Sequence, residues 1–277
     1  MQTEPFGRQT VRRSAASYPV CEVGWAQWEG TRDKQNDVVW VSPPDEEQGL
    51  ALALADGIGT GWEAGAAANK VVDAMARTFF SGPPGEELHH TLLRMIGSAH
   101  EQLRSMNGTL RQRGEPVGGA AVACVLVRDM KASVASVGNV RVFLYRGGML
   151  LQLNRDNLLS LAAEERSLLA GEEPELRPDW AMTVTAYAGM EGLTTVDYMQ
   201  TPLRLMPSDR LILMSSGLYG VFPEGELCRM LNDPRAQSAA DRLIARMKAE
   251  CYQSQSNASI MVLKVNRRRR MQAIREI

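Results

Sequence analysis

Two apolar stripes of helical period, set back to back, constrain the fold of this chain more than any other feature. In the first, Ala64, Ala68, Val71, Val72, Met75 and Phe79 fall on one face. In the second, Leu88, Leu92, Met95, Ile96, Ala99, Leu103, Met106 and Leu110 recur every three to four residues, the spacing of an amphipathic helix. Pro83-Pro84-Gly85 breaks the chain between them. Two such helices need a broad apolar surface to cover, and the rest of the sequence supplies strands. From Val20 the pattern changes to short apolar runs, with strands predicted over Asp37–Val41 and 50–55 on either side of an acidic, Pro-rich loop. Further strands are predicted over 120–127, 132–137, 140–145, 149–153, 211–215 and 260–265, with helices over 158–170 and 237–251. Residues 157–193 are otherwise the least regular stretch. Strands, a helix pair, more strands, a helix and a closing strand make a layered α+β domain. No internal repeat or long polar linker divides it, so residues 19–266 read as one unit.

Composition narrows the setting. Hydrophobic residues make up 44% of the 277, charged residues 23%, and the formal net charge is -1, so no global field draws the chain to nucleic acid or lipid. No apolar run reaches the length needed to span a bilayer. The N-terminal residues 1–18 are polar and basic, read as a flexible arm with no apolar core of a secretory signal. Cys21, Cys124, Cys228 and Cys251 form no C-x-x-C pair, as expected of free thiols in a reducing compartment, and the cytoplasm is the expected location. Asn107-Gly108-Thr109 matches a glycosylation acceptor only by its letters. The tail 267–277 opens with four arginines, Arg267–Arg270. These could meet an acidic surface or nucleic acid, but a solvated tail is the simpler reading.

Four short stretches carry the chemistry: RDKQND (Arg32 to Asp37), ADGIG (Ala55 to Gly59), SSGL (Ser215 to Leu218) and SNAS (Ser256 to Ser259). In order and spacing they resemble the motifs of the metal-dependent type 2C (PPM) serine/threonine protein phosphatases, written roughly R-x-x-N-E-D, A-D-G-x-G, S-D-G-L and D-N-x-T. The resemblance extends over about residues 20–265. It implies a four-layer α-β-β-α sandwich, two antiparallel sheets face to face with helix pairs outside. It also implies a cleft at one end of the sandwich holding two Mg²⁺ or Mn²⁺ ions. Hard cations of this kind take oxygen ligands, chiefly carboxylates and water, and the pair activates water for attack on phosphate.

Carried over residue by residue, the resemblance puts Arg32 at the phosphate-binding arginine, whose planar fork lysine cannot copy. Asp37 and Asp56 keep their acids, and Gly57 keeps the glycine whose carbonyl also coordinates. Four acidic positions have become neutral: Asn36, Asn139, Ser216 and Ser256. Thr60 replaces a glycine, Gly119-Ala120-Ala121 stands at G-T-T, Gly138-Asn139-Val140-Arg141 at G-D-S-R, and Asp156-Asn157 at D-H. Two carboxylates do not neutralise two divalent cations, and neutral Ser and Asn oxygens are weak ligands for ions that dehydrate reluctantly.

Two functions follow from the resemblance. The first is a pseudophosphatase with no confident catalytic residue and no metal cofactor, which binds a protein partner, phosphorylated or not, in a signalling or regulatory role. The second is an active Mn²⁺- or Mg²⁺-dependent phosphatase with a rearranged site, for which Asp33, Asp45 and Glu63 are nearby carboxylates. Arg32 is expected either to bind phosphate or to pair with Asp37 or Asp56. The three histidines, His89, His90 and His100, all fall on the second helix and read as a solvated face, with no nucleophile system around them.

Overall fold

A computed structural model describes residues 21–171, 173, 177–219, 221–250 and 253–266. The basic arm 1–18, the arginine-led tail 267–277 and Cys251 lie outside the described residues. The chain runs β1 (Cys21–Trp28), β2 (Asp37–Val41), β3 (Leu50–Ile58), α1 (Trp62–Phe80), α2 (Leu88–Gln112), β4 (Gly119–Arg128), β5 (Lys131–Val137), β6 (Arg141–Arg146) and β7 (Met149–Gln152). It continues with α3 (Leu159–Ala170), a 3-10 turn (Pro178–Ala181), β8 (Asp197–Tyr198), β9 (Leu203–Arg204), β10 (Arg210–Met214), α4 (Glu224–Leu231), α5 (Ala236–Ala249) and β11 (Ala258–Val265).

The strands form two antiparallel sheets. One is ordered β1-β11-β10-β6-β7; the other is β2-β3-β4-β5-β8, with β9 also pairing β5. Their alternation builds three cores, because successive side chains point to opposite faces of a sheet. Along β3, Leu50, Leu52 and Leu54 face the opposing sheet, meeting Leu211, Leu213, Met261 and Leu263. Ala51, Ala53 and Ala55 face the other way, beneath Ala67, Ala68, Val71 and the α2 stripe. On the far side, Ile212, Met214, Ile260 and Val262 are covered by Leu227, Leu231, Leu243 and Met247 of α4 and α5. The result is the expected α-β-β-α sandwich. Small residues on the outer face of β3 set the α1 approach: a Cβ on Gly57 would lie 2.3 Å from the Ala64 carbonyl oxygen.

Element boundaries differ from the sequence expectation by a few residues at most strands. The exceptions are β1, the two-residue β8 and β9, and α4, which the sequence reading did not assign. In the irregular 157–193 region α3 has a single buried residue, Ala163, and ends in Leu168 and Leu169, 82% and 88% exposed.

Candidate functional site

The strand alternation that makes the inter-sheet core also makes the site. Asp37 and Asp56 are directly opposed in the β2–β3 register. Counting by twos from Val39 and Leu54 puts both on the inter-sheet face, and counting from Leu213 and Met261 puts Ser215 and Ser259 on the facing sheet. At this end of the sandwich the core therefore changes from leucine to carboxyl and hydroxyl. The Ser259 hydroxyl donates to Asp37 Oδ2 at 2.7 Å. Ser216 donates to Asp56 Oδ2 twice, from its hydroxyl at 2.7 Å and its N–H at 3.3 Å. Ser259 Oγ also accepts from Gln27 Nε2 at 3.0 Å, and Ser215 Oγ accepts from the Ser259 N–H at 2.9 Å.

Asp37 is only 3% exposed, and its Oδ1 has no hydrogen-bond partner among the described residues. Burial lifts its carboxyl well above the ordinary range, and the neighbouring Asp56 charge adds to the rise against the Ser259 hydrogen bond. Asp56 is raised as well, again mainly by burial, with the Ser216 bonds opposing. Two close carboxyls in such surroundings do not both ionise readily. A proton on Asp37 Oδ1 gives that orphaned oxygen a bond to donate, and Asp56 can accept it.

The loop between β1 and β2 forms one wall. Asn257 pins it: its Oδ1 accepts from the Asn36 N–H at 2.9 Å, and its Nδ2 donates to the Glu29 and Lys34 carbonyls at 2.8 and 2.9 Å. The Asn36 side chain lies against α1, where a Cβ on Gly65 would sit 3.0 Å from its Oδ1. Arg32 is exposed at the mouth, with Nη2 3.5 Å from Ser256 Oγ. The anticipated pairing of Arg32 with Asp37 or Asp56 is not made, since the carboxyls lie inside the sandwich and are taken by serines.

The opposite wall holds a third carboxylate already neutralised. Asp156 Oδ2 accepts from Arg141 Nε and Nη2 at 2.8 and 2.7 Å, and Oδ1 accepts from Gln152 at 3.0 Å. The Arg141 guanidinium stacks 3.8 Å from the Tyr219 ring centre. The Tyr219 hydroxyl is buried beside Asn139; burial and then the Asp156 charge hold it well above the ordinary phenol range. Asn139 is buried, and Asn157 Oδ1 accepts from the Gly138 N–H at 2.8 Å.

Of the nearby carboxylates, Glu63 Oε1 accepts from the Thr60 and Gly61 N–H groups, both at 2.8 Å, and Asp45 Oδ1 accepts from Glu47 and Gln48. Both are spent on local turns, and Asp33 is exposed. Among the described residues, no group of three or more His, Cys, Asp or Glu is placed to share an ion. His90 is exposed, as expected, while His89 and His100 are half-buried. His89 stacks with Tyr198 and lies tilted against His90, and His100 Nδ1 accepts from the Gly189 N–H at 3.3 Å. Sequence reasoning missed Gln27, Ser259 and Tyr219 as cleft residues. Ser259 closes the SNAS stretch, and strand alternation was the signal that could have found it.

Residues 46–266 match the family described as Stage II sporulation protein E (SpoIIE). The chain belongs to that family, within the PPM-type phosphatases. It is 25% identical over 194 residues to serine/threonine protein phosphatase PstP of Mycobacterium tuberculosis, covering 70% of this chain and 36% of PstP. It is 27% identical over 149 residues to serine/threonine phosphatase stp of Listeria innocua, covering 53% of this chain and 57% of that protein. The matches thus span between about a third and three-fifths of these relatives' own lengths. In three dimensions it resembles the S. agalactiae serine/threonine phosphatase, with TM-score 0.75 and 18% identity over 89% of this chain and all of that one. The M. tuberculosis PstP structure gives TM-score 0.71 and 20% identity, covering 89% and 99%. A PstP catalytic domain has been solved in complex with two manganese ions. No helix among the described residues is long and apolar enough to cross a membrane.

Proposed function

We propose that this PPM-type domain is a pseudophosphatase: its cleft binds a phosphorylated protein and does not hydrolyse the phosphate. The observation that carries this reading is the Ser216–Asp56 bond. At a position where the resemblance calls for an acidic metal ligand stands a hydroxyl that donates to the other expected ligand, Asp56 Oδ2, at 2.7 Å. A hydroxyl in that place brings no negative charge to a cation site, and here its proton is given to Asp56.

The whole donor set fails to fit a two-ion centre. Asp37 and Asp56 together hold at most two negative charges, and burial favours their sharing a proton. Asn36, Asn139, Ser216 and Ser256 add none, and Asp156 is committed to Arg141. Ions that cling to their water do not exchange it for neutral hydroxyls and amides. When bound in active relatives, such an ion pair supplies an activated water and a clamp on phosphate.

Arg32 and Ser256 are the residues left to meet a phosphate. The Arg32 guanidinium is at the mouth and, among the described residues, makes only a long contact to Ser256, so its fork is available to an oxyanion. The partner is read as a protein, and the cytoplasm as the place of action. The test is binding of phosphoserine peptides by the wild type and by Arg32→Ala, with phosphate release followed in Mn²⁺. Arg32-dependent binding without release supports the reading, and metal-dependent release overturns it.

A second reading, an active phosphatase with a rearranged site, draws on the orphaned Asp37 Oδ1, an oxygen a cation would satisfy. It requires Mn²⁺-dependent turnover that Asp56→Ala abolishes.

A further inference from the structure

We infer that the cleft serines replace the ions as the tie between the two sheets at this end of the sandwich, with Ser216 as the residue that shuts divalent metal out. The inference rests on the metal-free reading of the cleft and adds what holds the cleft together in that state. Asp37 and Asp56 belong to one sheet; Ser259 and the Ser215-Ser216 pair belong to or directly follow strands of the other. The hydrogen bonds from Ser259 to Asp37 and from Ser216 to Asp56 therefore cross the sandwich, while the Ser259 N–H to Ser215 Oγ bond joins neighbours within one sheet. Ser259 to Asp37 and Ser216 to Asp56 are both 2.7 Å, within the range for hydroxyl donors on carboxylates. Gln27, on β1 of the serine sheet, extends the tie by donating to the Asp37 carbonyl at 3.1 Å and to Ser259 Oγ at 3.0 Å. The Asn36 N–H reaches Asn257 across the same gap at 2.9 Å.

The backbone leaves little slack. A Cβ on Gly217 would lie 2.0 Å from the Asn257 carbonyl oxygen, so the turn after Ser216 is pressed against the loop that carries Ser256 and Asn257. A Cβ on Gly57 would meet both Ala64 and Asn36 backbone oxygens. The loops that would have to part to admit an ion and its water are thus clamped on both sides. Deleting the Ser216 hydroxyl removes one cross-sheet bond and leaves Asp56 Oδ2 with only its long N–H contact. Replacing it by a carboxylate adds a charge beside two acids and recreates a demand for a cation.

The experiment is thermal unfolding of the whole chain in EDTA and in Mn²⁺, for the wild type, Ser216→Ala, Ser216→Thr and Ser216→Asp, beside a calorimetric Mn²⁺ titration. Wild type and Ser216→Thr are expected to share one midpoint in both buffers, without Mn²⁺ heat. Ser216→Ala is expected to melt about 2–4 °C lower, the scale of one lost hydrogen bond of about 1 kcal/mol in a domain of this size, again regardless of Mn²⁺. Ser216→Asp is expected to melt lowest in EDTA and to recover in Mn²⁺ with measurable binding. A wild-type midpoint that climbs with Mn²⁺, or a Ser216→Ala midpoint equal to wild type, overturns the inference. In the second case, Arg32-dependent phosphopeptide binding without phosphate release leaves the binding reading standing. Phosphate release by the wild type, by contrast, overturns that reading whatever Ser216→Ala does.

Discussion

The two ends of the sandwich treat buried carboxylates in opposite ways. At the end away from the cleft, Asp209 is held by a fork from Arg146, Nε to Oδ1 at 2.9 Å and Nη2 to Oδ2 at 2.6 Å, with the Met206 N–H as a third donor. Asp233, nearby, takes Ser238, Arg242 and the Arg235 N–H. At the cleft end Asp37 and Asp56 have serines and each other, and no Lys or Arg side chain among the described residues pairs with either. The first arrangement is what a fold does with acids it keeps for structure: each charge is balanced. The second leaves charge unbalanced inside the protein, which costs stability unless an ion or a proton supplies the balance.

The comparison predicts the largest loss at the balanced end. Asp209→Ala strands the Arg146 guanidinium and is expected to cost about 2–3 kcal/mol by urea denaturation, less than a fully buried pair because Arg146 is partly exposed. At the cleft end the sign reverses. Asp37→Asn keeps an acceptor for Ser259 and adds donors facing Asp56, so it is expected to raise the unfolding midpoint near about pH 8, with the gain shrinking as pH falls toward and below the ordinary carboxyl range, where the carboxyl is protonated folded and unfolded alike. A fall in the midpoint near pH 8 would mean that the Asp37 charge is balanced after all.

The pH profiles sharpen the same contrast. Asp37 is raised in the folded protein by burial and then by Asp56, so its contribution is fully present below the ordinary carboxyl range and is lost as pH rises through its raised value. Asp233 is lowered, chiefly by the Arg235 N–H, so its contribution is present above the ordinary range and is lost as pH falls through its lowered value. Asp37→Asn is expected to flatten the alkaline side of the stability profile, and Asp233→Asn the acid side, each read from urea midpoints across pH. Smaller still on stability is Arg32→Ala, expected within about 0.5 kcal/mol of wild type because the side chain is exposed. Its effect should fall on phosphopeptide affinity, weakened about tenfold or more.

Most of the fold was legible in the sequence because period does not depend on context. The α1 and α2 stripes stand out over nineteen and twenty-five residues, and β3 reads as a strand from Leu-Ala alternation alone. The two-residue β8 and β9 carry no periodic signal, and eight-residue α4 opens after Pro223 with only Leu227, Met230 and Leu231 buried. Those are set by tertiary contact. At the site, the motif letters singled out Asp37, Asp56, Ser216 and the Arg32 loop as candidates. They could not say that Asp37 and Asp56 share a register pair, that Ser259 reaches across the sheets, or that Arg141 already claims Asp156. Such facts depend on which strand ends meet, and strand order is not written in local sequence.

The most direct test of the unbalanced-acid account is a calorimetric Mn²⁺ titration of the wild-type chain at neutral pH, with phosphoserine-peptide hydrolysis followed in the same cell buffer. The account predicts no saturable Mn²⁺ heat and no phosphate release. Saturable binding of two ions, with turnover that disappears in Asp56→Ala, would contradict it.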